Sequence, residues 1–99
     1  MNFKNQSSLF EYLWETRAHT SEVSGLPLLP KGHSMWHFQF AHVLSKGAYP
    51  KYKLLPENIM LMRPEEHEHQ EKFEAFRIKK QELKERYYQE TRVNSFLKK

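Results

Sequence analysis

Apolar side chains recur at helical spacing near the beginning of the chain. Phe10, Leu13 and Trp14 would fall on one face of a helix, which is the pattern of a helix that packs on a core. Ser8 and Glu11 stand three residues apart at the start of this pattern, as in a capping box, where the two side chains accept hydrogen bonds from free N–H groups of the first turn. The pattern predicts a helix over about residues 8–18.

The segment that follows changes character at about residue 35. Residues 19–34 contain two Gly and two Pro, which favours a structured loop over a long element. Residues 36–44 are rich in aromatic side chains and include Val43. The alternation there puts Phe40 and His42 on one side of the chain. We therefore predict a strand that carries a histidine.

One more strand and one long helix are predicted in the second half. Residues 45–57 contain one Gly and two Pro and predict a loop, whereas residues 58–62 alternate as a short strand does. Pro64 suits the first position of a helix, because its missing N–H is not needed there. No Gly or Pro follows, so we predict a single helix over about residues 64–91 and a frayed tail over residues 94–99. Together the elements indicate an α+β protein.

The amino-acid composition limits the kinds of fold, metal site and partner that the protein can have. Ninety-nine residues with 38% hydrophobic and 28% charged side chains are typical of one small globular domain. The chain has no Cys, so any metal must be bound by nitrogen and oxygen ligands. No apolar run reaches the length of a membrane span or of a signal peptide, so we expect a cytoplasmic protein without a membrane partner. The formal charge of +4 favours a polyanionic partner such as nucleic acid.

Three residues on the predicted strands and helix have the side chains that a phosphodiester-cleaving site needs. His42 lies on the first predicted strand, Asn58 opens the second, and His67 follows nine residues later in the first turn of the predicted helix. A neutral histidine can take a proton from water, while one divalent cation stabilises the phosphate and the leaving oxygen. We therefore interpret His42 as a general base and His67 as a metal ligand. Asn58 would either orient the imidazole of His42 or brace the loop between the strands.

Glu71 is the second expected metal ligand. It lies four residues after His67, and on a continuous helix it would share the face of that histidine. One imidazole and one carboxylate with open water positions suit Mg²⁺, Mn²⁺ or a transition ion such as Ni²⁺ or Zn²⁺ better than a closed structural zinc site. The plainer interpretation of Glu71 is a solvated charge, just as a lone histidine in an apolar strand is more often a core residue.

The three residues and their spacing resemble the HNH endonuclease family, also called the ββα-metal nucleases. The DNase colicins are similar in this region, with a Pro at the position of Pro64 and a second helix ligand at the position of Glu71. The resemblance implies a metal-dependent endonuclease that hydrolyses DNA, with one divalent metal ion. Compact size suits a phage-encoded nuclease by analogy, and such a protein would act in the host cell cytoplasm.

The resemblance also implies an architecture. It covers about residues 19–75, so a ββα-metal core would lie within a single domain of residues 1–99, with an N-terminal helix before it and a helix extension and tail over residues 76–99. The oligomeric state stays open between a monomer and a helix-mediated dimer.

Many members of that family carry two Cys-x-x-Cys knuckles for a structural zinc. The four Cys positions fall here on Ser21, Ser24, Arg63 and Glu66. The resemblance therefore implies a member without structural zinc, in which an ion pair between Arg63 and Glu66, together with serine hydrogen bonds, holds the same turn.

The residue before the expected general base departs from the family's pattern. Family members often have an Asp or His metal ligand there, whereas this chain has Ala41. His37, Gln39 or water would have to replace it. The departure keeps open a catalytically inactive nucleic-acid-binding module of the same fold. A third hypothesis is a helical protein that dimerises through residues 64–92.

Three lysines lie in the loop beside the expected site. Lys46, Lys51 and Lys53 are expected to contact DNA phosphates in a salt-sensitive manner. The alternative is that they only keep the loop soluble.

Overall fold

The protein is a small α+β fold with three α-helices and one two-stranded antiparallel sheet in its described part, so the expected class is confirmed. A computed structural model describes residues 3–97, and for residues 92–97 it describes the backbone alone. Across residues 3–97, no helix is long and apolar enough to cross a membrane. The elements in chain order are α1 (Gln6–Thr16), β1 (Phe40–His42), β2 (Ile59–Leu61), α2 (Pro64–His67) and α3 (Glu74–Leu97).

Helix α1 starts two residues earlier than predicted, because its cap is Asn5 and not Ser8. The side-chain oxygen of Asn5 accepts a hydrogen bond of 2.9 Å from the backbone N–H of Ser8. The capping box expected from Ser8 and Glu11 was therefore wrong. Asparagine and serine are about equally favourable as helix caps, so residue type alone did not distinguish Asn5 from Ser8. The helix buries Leu9, Phe10 and Leu13, as the apolar periodicity indicates.

The sheet separates two small apolar clusters. Strands β1 and β2 pair with Phe40 opposite Leu61, Ala41 opposite Met60 and His42 opposite Ile59. Because side chains alternate across a strand, α1 covers one face and α3 covers the other. The α1 cluster consists of Leu9, Phe10, Leu13, Leu28, Phe40, Ile59 and Leu61. The α3 cluster consists of Ala41, Val43, Leu44, Tyr52, Met60, Met62, Phe76 and Leu83.

The first strand is shorter than predicted, because its expected beginning is a 3₁₀ turn over Trp36–Gln39. The side chain of Gln39 is fully buried. Its amide accepts from the N–H of Leu29 at 2.7 Å and donates to the carbonyls of Leu29 and Trp36. These bonds tie the segment to the preceding loop and take the place of strand pairing.

The single long helix predicted over residues 64–91 is wrong. Helix α2 ends at His67, a 3₁₀ turn follows over Gln70–Lys72, and α3 begins only at Glu74 after an extended Phe73. No apolar side chain occurs from Glu65 to Lys72. Helices in proteins depend mainly on packing of an apolar face, so nothing holds this stretch in one helix until Phe73 and Phe76 pack on the core.

Helix α3 continues to Leu97, so the prediction of a frayed tail was wrong for residues 94–97. Residues 98 and 99 lie outside the described part of the chain.

Candidate functional site

His42 is the last residue of β1, on the face that α1 covers. Its imidazole is half-buried, and Nε2 lies 2.9 Å from the carbonyl oxygen of Lys53. A carbonyl oxygen can only accept a hydrogen bond, so Nε2 carries the proton and Nδ1 is the basic nitrogen of the neutral ring. The bond fixes the tautomer of a ring that can accept a proton.

The surroundings of His42 favour its neutral form. Burial lowers the pKa of the imidazole, the bond to the Lys53 carbonyl partly opposes this, and the positive charge of Lys46, together with the neighbouring His67, lowers the pKa further. The net result is a pKa below the ordinary value for histidine. At neutral pH the ring is therefore mostly unprotonated, as a general base must be.

Asn58 braces the loop that carries the partner of His42. Its side chain is fully buried. The amide oxygen accepts from the N–H of Leu44 at 2.7 Å, and the amide nitrogen donates to the carbonyls of Leu44 and Tyr52. Of the two roles expected for Asn58, this geometry corresponds to bracing the loop, while the Lys53 carbonyl orients the imidazole. Asn58 closes a 3₁₀ turn and does not open β2 as predicted.

His67 is the last residue of α2 and faces the same cleft as His42. Its Nδ1 lies 2.9 Å from the carbonyl oxygen of Phe38, so Nδ1 donates and Nε2 keeps a free lone pair. A backbone carbonyl that fixes the other ring nitrogen is the usual arrangement around a metal-binding histidine. The cleft has a volume of about 290 Å³ and is lined by His37, Lys46 and both of these histidines, among others.

Glu71 does not join His67. It lies in the 3₁₀ turn after α2, and its carboxylate is 2.6 Å from the Nζ of Lys80. The shared helix face that was expected for His67 and Glu71 does not exist, because the helix ends between them. Glu71 instead lines a neighbouring cleft with His42 and Lys84.

The donor set therefore fits a divalent cation only in part. His67 offers a free nitrogen, but the carboxylate of Glu71 is engaged elsewhere. Ala41 is buried in the core. Of the replacements expected for a ligand at that position, Gln39 uses its amide to bond the backbone, whereas His37 and water remain, and His37 lines the cleft. Among the side chains of residues 3–91, no three of His, Asp or Glu already converge on one point. Two imidazoles and water suit a transition ion better than Mg²⁺.

Glu66 is at the centre of the four residues, Ser21, Ser24, Arg63 and Glu66, that were expected to replace a zinc knuckle. Its buried carboxylate accepts from the hydroxyl of Ser21 at 2.7 Å and from the backbone N–H of Arg63 at 2.8 Å. Burial raises the pKa of Glu66, but hydrogen bonds from Ser24, Ser21 and the Arg63 backbone outweigh burial, and the net pKa is lowered. The four replaced positions thus come together around one carboxylate.

The expected ion pair between Arg63 and Glu66 was wrong. The guanidinium of Arg63 contacts the carboxylate of Glu65 and the carbonyl of Pro27, each at 2.5 Å. Only the backbone of Arg63 bonds to Glu66. Because the carbonyl of Pro27 is a fixed acceptor on the facing loop, Arg63 holds that loop against α2.

The loop lysines separate into two groups. Lys46 and Lys53 line a cavity of about 340 Å³ together with Lys4. Lys51 instead lies on another side and pairs with Glu90 at 3.1 Å. The sequence analysis did not include Lys4 among the candidate phosphate-binding residues. The sequence feature that could have indicated it is its position directly before the helix cap Asn5.

Arg17 is a further residue that the sequence did not single out. Its guanidinium donates to the carbonyls of Ile59 and Pro56 at 2.6 and 2.8 Å and pairs with Glu22 at 3.0 Å. The two contacts to carbonyls span 42 and 39 residues of chain, and no local sequence pattern predicts them. They fix the start of β2 next to Asn58.

Comparison of the chain with protein families, curated proteins and solved structures found no match to any of the three.

Proposed function

We propose that this protein is a metal-dependent endonuclease of the HNH type, with a ββα-metal core formed by β1, β2 and α2. The observation that carries the proposal is the pair His42 and His67 in one cleft, each with one ring nitrogen bonded to a backbone carbonyl. The pair comes from the strand and the helix where the resemblance requires a base and a ligand. Asn58, nine residues before His67, is the third supporting residue, because it holds the loop whose carbonyl orients His42.

His42 acts first in the proposed reaction. Its Nδ1 takes a proton from a water molecule, whose oxygen attacks phosphorus as the bond to the leaving 3′ oxygen breaks. The leaving oxygen takes its proton from solvent. A divalent cation bound at His67 would supply Lewis-acid stabilisation of the phosphate and of the leaving oxygen. Lys46, which lines the same cleft, adds positive charge beside the phosphate.

Plasmid relaxation tests this proposal. Supercoiled DNA is incubated with the full chain and Mg²⁺, Mn²⁺, Ni²⁺ or Zn²⁺ in turn, and the nicked form is quantified. We expect nicking with at least one transition ion, no nicking in EDTA, and a loss of roughly 10²- to 10⁴-fold in His42→Ala. His69→Ala is the matched control, since His69 is an exposed histidine two residues beyond His67. Absence of cleavage of both the plasmid and a labelled single strand with every ion would contradict the proposal.

The second candidate function is a nucleic-acid-binding module that has lost its metal. The observation that favours it is that Ala41 is buried and Glu71 is paired with Lys80, so two family ligand positions contribute nothing. Isothermal titration of the protein with Ni²⁺ or Zn²⁺ separates the two. Binding that is lost in His67→Ala supports the nuclease, and absence of binding together with retained DNA affinity supports the module.

A further inference from the structure

An exposed aromatic pair stands beside the two histidines. The rings of His37 and Phe38 lie 4.2 Å apart, and the side chain of Phe38 is 46% exposed. Both residues line the cleft that contains His42 and His67. The backbone carbonyl of Phe38 holds His67, but its ring is not part of either apolar cluster. A large apolar ring that is half exposed beside two histidines offers a flat surface for a ligand.

Positive charge lies on the other side of the same cleft. Lys46 and Gln6 line both the histidine cleft and the adjoining cavity, where Lys4 and Lys53 are added. None of the three lysines forms an ion pair with a residue in the described part of the chain, whereas Lys31, Lys51 and Lys80 all do. Among the side chains described, those of residues 3–91, no carboxylate lies within ion-pairing distance of these ammonium groups. Lys46 donates to the neutral amide oxygen of Gln6 at 3.2 Å, so all three positive charges are without a paired anion.

The two surfaces differ in the chemistry that they recognise. Lysine ammonium groups contact the phosphates of any nucleic acid. An aromatic ring recognises the face of a base, and base faces are available only where the bases are unstacked, as in single strands. A B-form duplex hides these faces in its stack, so it would use the lysines and leave Phe38 in water.

We propose that the cleft binds a single-stranded nucleic acid segment, with a base stacked on Phe38 and the adjoining phosphates along Lys46, Lys53 and Lys4. This inference rests on the proposed nuclease function and names its substrate class. Stacking on Phe38 draws one nucleotide into the cleft beside His42, and the lysines hold the backbone that continues away from it. The ring of His37 lies 4.2 Å from that of Phe38 at an interplanar angle of 35°, so it packs on one face of Phe38 and the base would stack on the other face.

Fluorescence anisotropy in EDTA tests the inference without cleavage. The full chain is titrated against a short fluorescein-labelled single strand and against its duplex. We expect tighter binding of the single strand. Phe38→Leu, which keeps an apolar side chain but removes the flat ring, should weaken single-strand binding by roughly 5- to 100-fold and leave duplex binding unchanged. Phe38→Trp should retain the single-strand affinity. Ile78→Ala, at a similarly exposed apolar position, is the matched control and should match wild type.

The lysines are tested by salt dependence in the same assay. Lys4→Ala and Lys53→Ala should each reduce the slope of log affinity against log salt by about 0.7, the value for one phosphate contact on a single strand. Lys72→Ala, an exposed lysine outside both cavities, should leave the slope unchanged. Thermal melts of every variant check that folding is retained.

The outcomes separate this inference from the proposed function. Equal affinity for single strand and duplex, or a Phe38→Leu variant that binds like wild type, overturns the single-strand inference, and metal-dependent nicking of plasmid is unaffected by that result. Single-strand binding that depends on Phe38, with no cleavage of the same strand under any divalent ion, supports the binding surface and contradicts the nuclease.

Discussion

The two ends of the candidate site are held by different kinds of contact. Residues 40–67 contain Asn58 and Glu66, two buried polar side chains whose hydrogen bonds fix the surrounding backbone. The 3₁₀ turn over Gln70–Lys72 buries no residue, and Glu71 is held there by an ion pair whose side chains are 31% and 58% exposed. Buried networks tolerate little variation in geometry, whereas exposed pairs contribute little. The backbone that carries His42 and His67 is therefore fixed by buried hydrogen bonds, whereas the side chain of Glu71 is held by an exposed ion pair.

The largest expected effect that sharpens this comparison is the loss of Asn58. Asn58→Ala leaves the N–H and carbonyl of Leu44 and the carbonyl of Tyr52 without their buried partner. Each unpaired buried group costs about 1–3 kcal/mol, and we expect a loss of about 3 kcal/mol in the free energy of unfolding. Urea denaturation measures it.

Gln39→Ala is the control for Asn58→Ala, because Gln39 is an equally buried amide that bonds to a different loop. We expect a similar loss of stability from it. Only Asn58→Ala should also move the NMR resonances of the His42 imidazole, since only Asn58 braces the Lys53 loop. Equal movement in both variants would contradict the bracing role.

A smaller difference is expected between two carboxylates. Glu66→Gln removes a buried charge that accepts hydrogen bonds from Ser21 and Arg63, at about 2 kcal/mol. Glu71→Gln removes an exposed ion pair and should cost less than about 0.5 kcal/mol. Chemical denaturation at neutral pH checks both values. Equal costs would mean that the two regions do not differ in the way described.

The stability difference between wild type and Glu66→Gln should depend on pH in a definite direction. The pKa of Glu66 is lowered in the folded protein, so the unfolded chain binds its proton first as pH falls. The stabilisation is present above the ordinary glutamate pKa and is lost as pH falls through the lowered one. The stability gap between wild type and Glu66→Gln should therefore narrow below about pH 4. A constant gap over this range would contradict the shift.

The smallest expected effect concerns the charge beside His42. Lys46 lowers the pKa of His42, so Lys46→Ala should raise it toward the ordinary histidine value. NMR titration of the metal-free protein follows the imidazole, and Lys72→Ala serves as the control. Because the folded pKa of His42 is depressed, protonation favours the unfolded chain, and stability falls as pH drops from about 6.5 toward the lowered pKa. A pKa that Lys46→Ala leaves unchanged would contradict this electrostatic account.

The sequence predicted those features that depend on local pattern. The apolar periodicity of Phe10 and Leu13, the alternation at Phe40 and His42, and Pro64 at the start of α2 all correspond to the structure. The nine residues from Asn58 to His67 run from the end of a 3₁₀ turn through strand β2 to the end of helix α2.

The errors of prediction arise where distant contacts override local pattern. Gln39 looks like a strand residue, yet its buried amide bonds to Leu29 and closes a 3₁₀ turn. Arg63 sits three residues from Glu66, yet its guanidinium reaches the carbonyl of Pro27. Glu71 has ideal helical spacing from His67, but the helix ends because no apolar side chain anchors that stretch. These conformations depend on contacts with residues distant in sequence, which local spacing cannot predict.

Co-elution of nicking activity with the protein tests the central claim most directly. Wild type, His42→Ala and His69→Ala are purified in parallel, and fractions across each size-exclusion peak are assayed for plasmid nicking with the most effective divalent ion. The account predicts activity that follows the protein peak in wild type and His69→Ala and falls at least about 100-fold in His42→Ala. Activity that does not follow the peak, or that is equal in His42→Ala and wild type, would contradict the claim that His42 is the base of a phosphodiester-cleaving site.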